Sequence, residues 1–303
     1  MAPIIALGGA LSDSKVCPNP YRTYVRYRTE CLNWISQGIA KGVNEVHHRP
    51  RLHAYRRWWL RDPPVLPPVC EERAMASSNN KLLASLSTND FELLEPHLEL
   101  VTLGIRKSLE TPNKRIDTVY FPDSGFASVV AIQSRKQVEV GLIGREGMTG
   151  LPIVLGNHRS PHATYIQAAG NGKCISSTEL RNATQRSQSL RDSLLKYVQA
   201  FGVQTAHTAI CNAQSRTDVR LARWLLMAHD RIGEDTLSLT HEFLSLMLGV
   251  RRAGVTDAMN ALRKLKLISY QPGQIIVKDR KRMERTAGEA YGTPEAEYRR
   301  LIG

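Results

Sequence analysis

His241-Glu242-Phe243-Leu244-Ser245-Leu246-Met247-Leu248-Gly249-Val250-Arg251-Arg252-Ala253-Gly254-Val255-Thr256-Asp257-Ala258-Met259-Asn260 is the stretch whose reading decides the fold. Two helices that cross closely need a small residue at the fifth position and a glycine at the ninth, where the chain turns left-handed. Apolar residues must then glue the pair at the fourth, eighth, tenth, fifteenth and eighteenth positions. Counted from His241, these are Ser245, Gly249, and Leu244, Leu248, Val250, Val255 and Ala258. Thr240 is a suitable N-cap for the first helix. The second helix buries Val255, Ala258, Met259 and Leu262, leaving Arg251, Arg252, Ala253, Thr256 and Asp257 on or near its other face. Two arginines at a helix amino end suit guanine edges and phosphates in a major groove. An ordinary αα-corner would satisfy the same packing pattern.

The chain beyond the second helix favours a DNA reader. Leu265–Tyr270 leads through Gln271-Pro272-Gly273-Gln274 into Ile275-Ile276-Val277, the pattern of a β-hairpin placed as a wing after that helix. Lys264, Lys266, Lys278, Arg280, Lys281 and Arg282 give the wing a positive neighbourhood able to gain affinity from counterion release. Lys278 is the phosphate contact expected from the wing.

Upstream, Ser215-Arg216-Thr217-Asp218 caps a helix that Gly233 closes, and Trp224 within it reads as core or rim packing. Before it, Leu190, Leu194, Tyr197, Val198 and Phe201 recur at helical steps along residues 187–213. That stripe packs either on the chain's own barrel or on a second copy as a dimer seam. Between about 99 and 180 the signals are short strands with no intervening helix. Val119–Phe121 ends at Pro122-Asp123-Ser124-Gly125, and Ala127–Ile132 resumes with β-branched residues. Val138, Val140 and Leu142 alternate with Glu139 and Gly141 as in a half-buried strand. Gly170-Asn171-Gly172, between Tyr165–Ala168 and Lys173–Ser176, predicts a tight hairpin turn. Such spacing reads as a small barrel or jelly-roll. Ser87 and Phe91, Leu94 and Leu98 mark a short helix ahead of it.

Residues 1–74 break the pattern. They hold eight of fifteen prolines and three of four tryptophans, carry 11 basic and 6 acidic residues, and show no sustained period. A disordered leader, a start codon assigned too early, or a basic arm built on Arg56-Arg57-Trp58-Trp59 would each look like this, and Met75 reads naturally as an amino terminus.

The whole chain has 303 residues, 42% hydrophobic and 23% charged, with 41 basic against 28 acidic residues. A net charge of +13 favours a polyanionic partner. No stretch approaches the ~18 consecutive apolar residues of a membrane span, so no membrane partner and a cytoplasmic location are expected. Five irregularly spaced cysteines make neither a disulfide framework nor a zinc ribbon, and nine histidines form no ligand spacing, so no metal site is expected. Gly170-Asn171-Gly172-Lys173 is not a phosphate loop, and no nucleophile elbow, zinc-protease helix or dinucleotide fingerprint is present, so no catalytic residue is assigned and the chain is not read as an enzyme.

On Val119–Gly125, Gly144-Arg145-Glu146-Gly147-Met148 and Leu248–Thr256, residues 75–303 resemble the Crp/Fnr family of bacterial transcription regulators. The resemblance implies an α+β protein: a jelly-roll-like β-roll of the cyclic-nucleotide-binding type (75–186), a long dimerisation helix (187–213), a winged helix-turn-helix (214–285) and a tail (286–303). It implies a homodimer on double-stranded DNA, with RNA polymerase as a further partner. Arg252 matches the family arginine that reads a guanine, and Arg251 and Gly254 match backbone-contacting positions. The family's glutamate and second arginine fall at Ala253 and Asp257, so its usual target sequence does not carry over. In the effector pocket Glu146 matches the glutamate that accepts from a ribose hydroxyl. The phosphate-holding arginine and serine fall at His162 and Ala163, with Arg159 near enough in sequence to substitute. A neutral histidine and an alanine do not replace a guanidinium and a hydroxyl, so cAMP is disfavoured and any effector is another small molecule. The family's iron–sulfur branch needs four clustered cysteines, and only Cys174 and Cys211 lie beyond residue 75. The competing reading is a ligand-sensing module of the same β-roll type without DNA activity, which would have no use for Arg251, Arg252 and the wing.

Overall fold

The computed structural model describes residues 79–303 apart from Arg135 and Pro272. The expected leader, residues 1–74, lies outside the described residues.

Two short helices open the described chain, α1 (Lys81–Ala84) and α2 (Thr88–Leu94), capped by the side chains of Asn80 and Ser87. Seven strands come next: β1 (Glu99–Leu103), β2 (Ser108–Glu110), β3 (Thr118–Pro122), β4 (Phe126–Gln133), β5 (Lys136–Ile143), β6 (Ala163–Ala168) and β7 (Gly170–Ser176). They form two antiparallel sheets, ordered β1-β7-β3 and β2-β6-β4-β5. This is the expected roll, with a short helix, α3 (Leu151–Val154), between β5 and β6.

Two local expectations fail, each for a physical reason. The Gly170-Asn171-Gly172 hairpin does not exist. β6 and β7 lie in different sheets, and the three residues are strand residues of β7 facing Leu103, Thr102 and Val101. The glycines serve close backbone approach instead. A Cβ on Gly170 would sit 2.1 Å from the Ser124 carbonyl oxygen, and one on Gly172 would sit 2.5 Å from that of Phe121. The simple alternation along β5 also fails. A bulge pairs Gly141 with Val129 but Glu139 with Val130, leaving Val140 as the extra residue. Val138 is consequently exposed and Glu139 buried.

After the roll come α4 (Ser177–Arg186), which the sequence pattern does not reveal, and the long helix α5 (Gln188–Gln214) capped by Ser187. Leu190, Leu194 and Tyr197 belong to the roll's own core with Leu82, Phe121, Met148 and Ile175. The stripe read as a dimer seam is thus filled by the chain itself at three of its five positions. Val198 and Phe201 are half-buried.

The carboxyl-terminal part comprises α6 (Thr217–Ile232), β8 (Thr236–Ser238), α7 (His241–Leu248), α8 (Arg252–Lys264), β9 (Ile268–Gln271), β10 (Gln274–Val277), α9 (Arg280–Ala287) and α10 (Thr293–Ile302). Gly233 ends α6 at φ 77°, as expected of a left-handed cap. The segment from 286 onward, expected as a tail, contains the helix α10. Thr293-Pro294-Glu295 opens it, with Pro294 in its first turn and Glu295 accepting from the Gly292 N–H at 2.9 Å. Tyr298 and Ile302 of α10 pack against the roll's core.

The two parts share a core. Phe126 and Leu142 of the roll lie in the same buried cluster as Leu221, Trp224, Leu244, Val255 and Leu262. Replacing Gly170 by alanine is expected to cost about 1–3 kcal/mol, since strand backbone must move to admit the methyl group. Gly104→Ala, with open space around the new carbon, is expected to stay within about 0.5 kcal/mol of the parent. Urea denaturation of the two variants makes the comparison, and equal midpoints would rule out the close-approach explanation.

Candidate nucleic-acid interface

The stretch 241–264 folds as its pattern demands. Thr240 accepts from the Phe243 N–H at 3.2 Å, starting α7. Gly249 ends it in the left-handed region, at φ 61° and ψ 33°. The Ser245 hydroxyl donates to the Val250 carbonyl, and the Val250 N–H donates to the Ser245 carbonyl at 3.1 Å, which locks the turn. Val255, Ala258, Met259 and Leu262 are buried, and Arg251, Arg252, Ala253, Thr256 and Asp257 are exposed. Gly254 is half-buried, facing Val250. The structure thus places these six residues at the amino end of α8, five of them exposed and Arg252 paired with Glu242 at 3.0 Å.

The wing is present and larger than expected. β9 and β10 pair as a hairpin, and β8 adds a third strand through Leu237 opposite Ile275. The His241 ring stacks on Tyr270 at 4.8 Å, joining the helix pair to the wing. Lys278, Lys281 and Arg282 are exposed at its end, as are Lys264 and Lys266. Arg280 is not part of this surface. It is half-buried and bonds the Asp230 carboxylate at 2.7 Å and the Tyr291 hydroxyl at 2.8 Å, so it anchors the segment leading to α10.

Several solved structures share this arrangement. A protein from Eubacterium rectale assigned to the crp/fnr family matches with a TM-score of 0.55 and 16% identity, over 68% of this chain and 97% of its own. FixK2 from Bradyrhizobium japonicum matches at 0.56 and 13%, over 64% and 99%. The c-di-GMP responsive global regulator CLP of Xanthomonas campestris matches at 0.51 and 16%, over 64% and 100%. No curated protein matches the sequence. Those likenesses establish the fold, and the Crp-like helix-turn-helix domain matches residues 219–286. The fold is shared with these structures, and residues 219–286 form a Crp-like helix-turn-helix domain.

The four expected effector residues stand in different surroundings. Glu146 sits in the turn after β5, where its Oε1 accepts from the Gly144 N–H at 3.1 Å and pairs with Arg231 of α6 at 2.6 Å. It borders a cavity of about 580 Å³ whose lining does not include the other three. Arg159 is exposed, and its backbone pairs antiparallel with that of Arg115. The His162 N–H donates to the Ser160 hydroxyl at 3.1 Å, and Ala163 begins β6. Sequence reasoning misses Arg231. It stands in register with Trp224, Met227 and Ala228, and a cation in an apolar register signals a buried acidic partner. Among the described residues no group of three or more histidine, cysteine and acidic side chains is placed to hold a metal.

Glu139 is the other residue whose importance the sequence conceals. At 4% exposure it lies between the roll and the DNA-binding domain. The Trp224 indole N–H donates to its Oε1 at 2.6 Å, and the Ser128 hydroxyl lies 2.6 Å from its Oε2 and 3.8 Å from Met247 Sδ. Burial pushes its pKa up to about 7, against the downward pull of Ser128, Trp224 and, more weakly, Arg231 and Arg223. A carboxyl group whose folded pKa exceeds its unfolded one favours the folded state at low pH. That contribution is complete below the unfolded value and disappears as pH rises through about 7. Between pH 5 and pH 8 the parent is therefore expected to lose more stability than Glu139→Gln, by an amount on the order of 3 kcal/mol at most. Urea midpoints at the two pH values measure the difference, and parallel losses in both proteins would refute the assignment.

Proposed function

We propose that this DNA-binding regulator acts as a homodimer, inserts α8 into the major groove and takes its signal from something other than a cyclic nucleotide. The observation that carries the reading is the pair Arg251 and Arg252, exposed at the amino end of α8 beside a lysine-bearing wing. Arg252 reads a guanine through its two parallel N–H groups, Arg251 and the Gly254 backbone approach phosphate, and Ala253, Thr256 and Asp257 border the bases. Lys278 adds a phosphate contact from the wing. The partner is double-stranded DNA in the cytoplasm, with RNA polymerase as the second macromolecule, and the role is regulatory rather than catalytic. A sensing module without DNA activity would leave this exposed basic face unused.

Two recognition helices about one DNA turn apart require a twofold seam. With Leu190, Leu194 and Tyr197 committed to the roll, the seam is assigned to the exposed face of α5. Gly202, Ala206, Ala209 and Ala213 recur there at steps of three and four, beside the exposed Ile210. The signal is set apart from cAMP because His162 and Ala163 stand at the phosphate-holding positions and Glu146 is engaged by Arg231. No iron–sulfur cluster is proposed, since Cys174 lies in β7 and Cys211 near the far end of α5.

Fluorescence anisotropy on DNA from the protein's own promoter region tests the docking. Arg252→Ala is expected to weaken cognate binding by about 1–3 kcal/mol and relax base preference, and Lys278→Ala to weaken all sequences alike with a shallower salt slope. Added cAMP is expected to change neither. An Arg252→Ala protein with unaltered affinity and motif would defeat the docking. For the seam, Ala206→Glu is expected to convert dimers to monomers in analytical ultracentrifugation and to lower DNA affinity. A parent chain that sediments as a monomer both free and on DNA would remove the dimer from the proposal.

A further inference from the structure

The cavity of about 580 Å³ lies between the 144–147 turn of the roll, α5, α6 and α10. Its volume is that of a small-molecule site. Three of its lining groups share one deficiency. The Tyr197 O–H, Arg231 Nε and Arg145 Nε are buried donors with no acceptor, the tyrosine oxygen itself being met by the Met148 backbone N–H. Tyr197 is 2% exposed and Arg231 7%. Buried donors without acceptors are rare in folded proteins, and three of them bordering one space point to a missing acceptor.

The remaining contacts of these residues show that they are held in place. Arg231 donates to the Met227 carbonyl at 2.7 Å and to the Leu142 carbonyl at 3.2 Å, besides pairing with Glu146. Arg145 donates to the Asp230 carbonyl at 2.9 Å. Tyr197 is wedged over Gly147, where a Cβ would stand 1.9 Å from its oxygen. Five cationic side chains line the cavity against three acidic ones, and Phe201, Tyr291 and Tyr298 supply flat walls.

We propose that this cavity binds a small organic anion, a carboxylate or phosphate attached to a ring, whose oxygens accept from Tyr197, Arg145 and Arg231 while the ring lies on the aromatic walls. The inference rests on the regulator reading and gives it a signal site outside the roll's interior. Because the walls come from both the roll and the DNA-binding domain, the bound anion clamps the two together.

Phenyl phosphate is the probe, titrated into the full chain by calorimetry at constant ionic strength, with inorganic phosphate and chloride as controls. Saturable binding at one site per chain and a rise in melting temperature are expected, with inorganic phosphate weaker. Tyr197→Phe, which keeps the ring, and Arg145→Lys, which keeps the charge but not the Nε donor, are each expected to weaken binding roughly tenfold. Unsaturable heats, affinity unchanged in both variants, or inorganic phosphate binding as tightly as phenyl phosphate would overturn the proposal. Promoter binding measured on the same preparations separates the two readings. Retained DNA affinity with no anion binding removes this inference alone, and absent DNA affinity removes the proposed function.

Discussion

The contact on which the rest of the structure depends is the one Glu139 makes with Trp224 across the boundary between roll and DNA-binding domain. Trp224 stands edge-on to Phe126 at 6.2 Å and to Phe243 at 5.5 Å, so it touches the roll on one side and the first helix of the helix pair on the other. Its indole N–H needs an acceptor in an apolar surrounding, and Glu139 supplies it. The carboxyl group needs partners in turn and finds Ser128 as well. An unpartnered member of this trio would leave a buried polar atom without compensation, so each fixes the position of the others. The orientation of the helix pair relative to the roll is set by that contact.

Much of this is legible in the sequence wherever a periodic pattern coincides with local chemistry. Ser245, Gly249 and the apolar set announce the helix pair because close crossing and a left-handed turn restrict residue type severely. The long helix and the wing emerge from spacing and turn residues. The features that escape are set by tertiary partners. Gly170 and Gly172 look like turn residues, yet they admit the neighbouring Ser124 and Phe121 backbones. Glu139 looks like the outward residue of an alternating strand, and a one-residue bulge turns it inward. Leu190, Leu194 and Tyr197 form an apolar stripe whose partner cannot be read from periodicity, and that partner is the chain's own roll.

Locality also divides the candidate sites. Helix geometry alone places the proposed reading residues at the amino end of α8, so spacing suffices to locate them. The cavity is assembled from Arg145, Tyr197, Arg231 and Tyr298, which are scattered over four elements and meet only on folding. Tyr298 makes the point most plainly, since its hydroxyl reaches the Glu146 carbonyl at 2.7 Å from 152 residues away. A family resemblance leads to Glu146, but its carboxylate is engaged by an arginine from a different domain.

Arg252 also meets a partner within its own chain. Its guanidinium lies 3.0 Å from the Glu242 carboxylate, with both side chains mostly in solvent. Such a pair contributes no more than about 1 kcal/mol, little enough for a well-matched guanine to displace. On the proposed docking, Glu242 is a built-in competitor for the guanidinium that would read the base. A non-cognate base at this position lacks the paired acceptors and gains little by the exchange, whereas a guanine edge offers two aligned hydrogen bonds. In that docking, the carboxylate is a brake on promiscuous binding that shortens the time spent on non-cognate sequence.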